Sequence, residues 1–249
     1  MRRVRVVLVM ALGLILTAEA QWTQTNGPDG GYVQCFAVSG SNIFAGIWNG
    51  VYRSTNNGTS WTTTGYSNDF GSVQSLALSG TNLFAGSGHR GVFLSTNNGT
   101  TWSERNFGLT NTGVQALAVS GTNLFAGTLG GVFLSTNNGT SWIPVNAGLA
   151  TLGITCLLAI DTALFAGTWG GGLYYSPDNG TSWTPLNTGL PDTLIVSSIA
   201  IIDTTLFAGA WGGVYRSTDH GASWTLVSYL QMDPGVFCLA VMGTDLLVA

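Results

Sequence analysis

The chain has 249 residues with 7 basic and 11 acidic side chains, a net charge of −4, and only 7% of its residues are charged. It contains no lysine, and three of its seven arginines fall at positions 2, 3 and 5, leaving Arg53, Arg90, Arg105 and Arg216 scattered. Nucleic-acid binding and adhesion to an anionic membrane surface both require clustered cations, so this composition excludes them.

The first 20 residues read as a signal peptide. Arg2, Arg3 and Arg5 form a positive n-region, residues 6–16 an apolar h-region, and Ala18-Glu19-Ala20 a small-x-small cleavage site ahead of Gln21. No later segment is long and apolar enough to span a bilayer, so the sequence predicts export without membrane insertion. Residues 21–249 then form one domain, in which four arginines face ten acids.

Within that domain one octet, Ser-x-Asn/Asp-x-Gly-x-x-Trp, occurs five times, at 54–61, 95–102, 135–142, 176–183 and 217–224. Successive tryptophans are 41, 40, 41 and 41 residues apart, one four-stranded propeller blade per unit. The unit beginning at Val114 shows the reading. Residues 114–119 are a nearly continuous apolar run, expected as an inner strand covered on both faces. Residues 120–122 turn the chain into a second strand at 123–127, and 129–131 turn it into a third at 132–135. The octet turns it again into an outer strand that carries Trp142. A meander with two apolar faces must stack on copies of itself, and ring stacking yields an all-β propeller. Complete blades are expected at about 33–64, 73–106, 114–146, 154–187 and 196–228. Residues 21–26 match an outer strand alone, and 236–249 match only the first two strands of a sixth unit. A split or truncated sixth blade follows, and with it an unpaired edge at 245–249, an aggregation hazard.

The octets account for most of the polar residues that stand out. Their members are Ser54, Asn56, Gly58 and Trp61; Ser95, Asn97, Gly99 and Trp102; Ser135, Asn137, Gly139 and Trp142; Ser176, Asp178, Gly180 and Trp183; Ser217, Asp219, Gly221 and Trp224. Asn or Asp bonds backbone amides two residues on, the glycine supplies a positive φ, and the indole fills the gap between neighbouring sheets. Asn57, Asn98, Asn138 and Asn179 begin formal glycosylation sequons, read here as turn chemistry, and His220 as a turn residue in the fifth copy. Cys35, Cys156 and Cys238 share one repeat register with Ser75, Ala116 and Ser198, a position chosen for small size, which predicts buried free thiols. His89 and His220 are isolated, so neither a metal nor a cofactor is expected.

This octet in five phased copies resembles the Asp-box (bacterial neuraminidase) repeat superfamily of propellers over essentially residues 21–249. That group includes sialidases, xyloglucanases, the sortilin ectodomain and photosystem II assembly propellers; in style the chain is most similar to secreted bacterial members and the assembly factor-like propellers. The resemblance implies that the octets lie away from the functional face. Asn56, Asn97 and Asn137 stand where the family has aspartate, against a charge-dependent role for the box.

The family's enzymatic motifs are not matched. Sialidases would bring an Arg-Ile-Pro element and an arginine triad; no Arg-Ile-Pro occurs, and Arg53 and Arg216 share a repeat position with Leu94, Leu134 and Tyr175. Xyloglucanases would bring an acid to the turn between second and third strands, yet 47–50, 87–91, 128–131, 168–172 and 210–213 contain none. Asp29, Asp69, Asp192 and Asp233 on the blade-to-blade loops read as ordinary turn residues. The acid-free turns instead carry Trp48, Trp169 and Trp211, with His89 and Arg90 in the second blade. Those five residues are the predicted binding set, for a protein or glycan partner, of a secreted or extracytoplasmic non-catalytic scaffold. A glycoside hydrolase of sialidase or xyloglucanase type is the alternative, and plugging of the ring axis is the structural role the tryptophans could have instead.

Overall fold

The computed structural model describes residues 6–8, 27–28, 32–65, 71–228 and 235–249. Residues 21–26, expected as an outer strand, lie outside the described residues, as do Asp29, Asp69 and Asp233. The chain is an all-β propeller of five four-stranded antiparallel blades and a smaller sixth sheet. In each blade the strands pair in chain order from the inside outward. The third blade is representative: Val114–Ser120, Asn123–Thr128, Gly131–Ser135 and Ile143–Pro144. Two-residue turns join the first strand to the second, and the first turn residue has positive φ: Gly40, Gly80 and Gly121, then Asp161 and Asp203. Aspartate is one of the few side chains that tolerates this region, so the substitution keeps the turn.

Every innermost strand breaks register at one place, between Val33 and Cys35, Val73 and Ser75, Val114 and Ala116, Ile154 and Cys156, and Val196 and Ser198. After the break, the small residue pairs with the glycine of the Phe-Ala-Gly strand: Cys35 with Gly46, Ser75 with Gly86, Ala116 with Gly127. The next blade explains the glycine. A β-carbon on Gly46 would lie 2.6 Å from Val73 Cγ1, on Gly86 2.7 Å from Val114 Cγ1, and on Gly209 2.6 Å from Val236 Cγ1. Such distances are inside van der Waals contact, so only glycine lets the next sheet close.

Five buried apolar clusters fill the five seams between successive sheets. Phe84, Val92 and Leu94 of the second blade meet Leu124, Phe133 and Trp142 of the third, and the fifth blade's Phe207 meets Val236 and Leu246. None of the clusters joins the sixth sheet to the first blade. The expectation that inner strands are covered on both faces therefore fails in the first blade. Phe36 and Val38 are 58% and 63% exposed, because among the described residues no sheet packs against them as the second blade packs against Leu117 and Val119.

The sixth sheet consists of Leu239–Met242 and Asp245–Val248, with Val6–Leu8 as third strand. In the uncleaved chain the edge expected to be bare is occupied by residues of the segment read as a signal peptide, Val6 pairing with Leu246, Val7 with Leu247 and Leu8 with Val248 in parallel; cleavage after residue 20 would uncover it. A third strand arriving from within the sheet would have been antiparallel. The thiols also depart from expectation, since Cys35 and Cys156 are partly buried but Cys238 is exposed; all three are free.

Candidate binding face

The octets build one end of each blade. In the first, the Ser54 hydroxyl donates to Asn56 Oδ1 at 2.9 Å and accepts the Gly58 amide at 2.9 Å, while Asn56 Oδ1 accepts the Ser60 amide at 2.9 Å. The remaining bond depends on the residue type. Asn56, Asn97 and Asn137 donate Nδ2 to the hydroxyls of Ser60, Thr101 and Ser141. In the aspartate copies the hydroxyl donates instead, Ser182 to Asp178 at 2.7 Å and Ser223 to Asp219 at 2.6 Å. Either residue closes the corner. Two successive positions are left-handed rather than the glycine alone: Asn57, Asn98, Asn138, Asn179 and His220 have φ of 54–58°, each followed by glycine.

The tryptophans sit one residue before the outer strands and reach back to the preceding blade. The Trp142 indole donates to the Arg105 carbonyl and that of Trp183 to the Val145 carbonyl, both at 2.8 Å. Their backbone amides bond the carbonyls of Phe107 and Ala147 at 2.9 and 2.8 Å. Trp102 instead donates to the Gly99 carbonyl of its own octet, and Trp224 Nε1 is buried without a partner among the described residues.

The turns between second and third strands lie at the other end of the third strand. Four of them are tied to the segment that enters their own blade: Gly88 to Ser72, Leu129 to Gly113, Trp169 to Gly153 and Trp211 to Ile195, through backbone bonds of 2.8–3.2 Å. Turns and blade-to-blade connections therefore share one face. On it, Trp48 and Trp169 are 65% exposed and Trp211 50%. His89 and Arg90 are also exposed, with their backbone fixed by the Ser87 hydroxyl, which accepts both amides. Asn106, Asn146 and Asn187 brace these turns by accepting the amides of Val92, Val132 and Leu173 at 2.7–2.9 Å. The Asn-x-Gly-Leu pattern marks them in the sequence, where they passed as loop polarity.

The five predicted residues do not share one pocket. Trp169 and Trp211 flank one strand of backbone, since Trp169 forms an isolated bridge with Ile195 and Trp211 donates to its carbonyl. Trp211 also opens onto a pocket of about 320 Å³ between the fourth and fifth blades. Its walls include Asp192, Thr193, Ile195, Tyr215 and Leu226. Trp48, His89, Arg90 and Trp169 do not line it. The loop that lines it is one residue longer than its counterpart: nine positions separate Asn187 from Val196, against eight from Asn146 to Ile154. The loop takes up the extra length with Thr193 at φ 64°, a left-handed conformation costly for a β-branched residue. Burial raises the Tyr215 phenol above its ordinary value, so the group stays a neutral hydroxyl.

A second cleft, about 340 Å³ and mostly polar, lies between Arg53, Thr62–Thr64 and Asn98–Thr100 near the octet end. There Arg53 is committed, donating Nε to Asn42 Oδ1 at 2.9 Å. Among the described residues no group of three His, Cys, Asp or Glu side chains is arranged to hold a metal ion, and no helix is long and apolar enough to cross a membrane.

No protein-family model matches the sequence, and no curated protein sequence does either. Solved structures do match. The extracellular domain of BT4673 from B. thetaiotaomicron superposes with a TM-score of 0.73 at 17% identity, over 87% of this chain and 30% of that one. The GH74 xyloglucanase of Xanthomonas campestris gives 0.68 at 19% identity, over 89% and 42%. YCF48 bound to D1 peptide gives 0.66 at 16% identity, over 86% and 72%. The chain thus spans less than half the length of the first two, and at these identities the three share with it the propeller fold.

Proposed function

We propose that the chain is an extracytoplasmic, non-catalytic propeller of Asp-box repeats that binds a protein or glycan partner through the face bearing Trp48, His89, Arg90, Trp169 and Trp211. The observation that carries this reading is three tryptophans, each at least half exposed, on glycine-flanked turns, that of Trp169 braced by Asn187. Large aromatic rings left in water at a rigid surface are the usual anchors of recognition. The octets support the assignment to Asp-box repeats through their shared Ser–Asn/Asp hydrogen-bonding corner. Residues 1–20 act as the export signal. Similar folds occur in an extracellular domain and in a protein captured with a peptide, which agrees with both halves of the proposal.

The hydrolase alternative has the fold likeness to a xyloglucanase in its favour. It requires two convergent carboxylates, and only Asp192 lines either cleft described above. A glycan array and an extracellular pull-down on the mature protein test the proposal. The Trp48→Ala/Trp169→Ala/Trp211→Ala variant should lose the captured partner while unfolding at the same temperature. Retention of the partner by that variant, or hydrolysis of xyloglucan or a fluorogenic sialoside by the wild type, would overturn it.

A further inference from the structure

We infer that the pocket between the fourth and fifth blades is a binding site for a cationic group, the guanidinium or ammonium head of an arginine or lysine side chain on an extended peptide. The inference rests on the proposed binding face and names what one part of it recognises. Its volume, about 320 Å³, is at the small end of ligand sites and suits one side chain with its adjoining backbone.

The wall chemistry selects the charge. Trp211 and Tyr215 contribute aromatic surface, and Ile195 and Leu226 contribute apolar surface. Electron-rich ring faces attract cations, most strongly at tryptophan. Asp192 supplies the one charged group in the lining; no arginine or histidine accompanies it. Asp192 is exposed, and its carboxylate would repel an anionic sugar. A cation meets the carboxylate and the rings together. The surroundings agree, since past residue 20 the chain has ten acids against four arginines, none of them in the lining.

The loop is built for the position. One inserted residue and the left-handed Thr193 carry Asp192 out over the turn of Trp211, whose amide is held by Ile195 from the same loop. A strained β-branched residue persists only where its surroundings enforce it. The four equivalents of Tyr215 are Tyr52, Phe93, Phe133 and Tyr174, so the hydroxyl is not required by the blade core. Here it reaches toward Gly212, 3.9 Å from where a β-carbon on that glycine would lie, at the mouth of the turn.

The test is an NMR titration of the ¹⁵N-labelled mature protein, following the indole signal of Trp211, with acetyl-argininamide, tetramethylammonium chloride and cellobiose as probes. Both cations should shift that signal saturably in the millimolar range, and about 0.5 M sodium chloride should weaken the effect. Asp192→Asn should weaken cation binding roughly fivefold and Tyr215→Phe less, while Trp211→Ala, followed by calorimetry, should weaken it roughly tenfold. Ile143→Ala, on the exposed outer strand of the third blade, should leave it unchanged. Failure of both cations to bind, equal binding by Asp192→Asn, or binding of cellobiose in their place would overturn the inference. If the partner is still captured through the tryptophan face in any of those cases, the wider proposal stands and only the pocket's assignment falls.

Discussion

Gly127 lies directly beneath Ile154 of the following blade: a β-carbon on the glycine would come within 2.6 Å of the isoleucine Cγ2 and 3.2 Å of Leu157 Cδ1. Gly127→Ala should therefore force the third and fourth blades apart and destabilise the protein by about 1–3 kcal/mol. Gly153→Ala is the control, because its new methyl would meet only Trp169 Cβ at an ordinary 3.4 Å, and it should stay within about 0.5 kcal/mol of wild type. Urea denaturation midpoints at constant m-value decide between them.

Trp183 and Trp224 are almost equally buried corner indoles that differ in the bond of Nε1. Trp183 donates to the Val145 carbonyl, whereas Trp224 Nε1 has no partner among the described residues. Trp183→Phe strands that carbonyl and should cost about 1–3 kcal/mol. Trp224→Phe removes an unsatisfied donor and should cost at least about 1 kcal/mol less. Parallel guanidinium titrations of the two variants measure the difference.

Two corners titrate and three do not. The Ser223 hydroxyl, followed by the Ser217 hydroxyl and the Ser223 amide, holds Asp219 down at about 2, and the Ser182 hydroxyl leads a similar lowering of Asp178. A carboxylate depressed in the folded state contributes stability above its unfolded value, near 4, and loses it as pH falls toward 2. Asp178→Asn/Asp219→Asn gives these corners the amide used at Asn56, Asn97 and Asn137. Melting temperatures measured across that window should fall less steeply for the double variant than for wild type.

Burial pushes the Cys35 and Cys156 thiols up to about 12, and raises that of Cys238 as well. At about pH 8 the folded protein should react slowly with a disulfide reagent, at Cys238 first because it is the exposed one, and all three should react fast once unfolded. The same shift makes alkali destabilising. Unfolded thiols ionise near 9 while the folded ones do not until about 12, so stability falls as pH rises through that interval.

The blade architecture was legible because the turn between third and fourth strands needs the same side chains every time, and five octets in phase give the period. The strand order within a blade followed from the Gly and Asn turns. The small position of Cys35, Ser75 and Ala116 was legible as a size requirement. The need for glycine opposite it was not, because Val73, Val114 and Ile154 impose that from the neighbouring repeat. The left-handed Asn57 and its equivalents were also missed, since asparagine and glycine share the positive-φ duty and the sequence shows only the glycine as obligatory. The exposed tryptophans could be picked out by repeat position. The pocket beside Trp211 could not: a loop one residue longer than its counterpart lines it, and Asp192 looks there like any turn aspartate.

A glycine under a β-branched residue of the next sheet recurs at all five joints: Gly46 and Val73, Gly86 and Val114, Gly127 and Ile154, Gly167 and Val196, Gly209 and Val236. A joint so standardised makes every blade an exchangeable cassette. Unequal recombination in phase with the roughly 41-residue period would add or delete one cassette and regenerate a working joint at the scar, with no compensating substitution. Copy number can therefore drift in a lineage faster than the residues that hold neighbouring copies together.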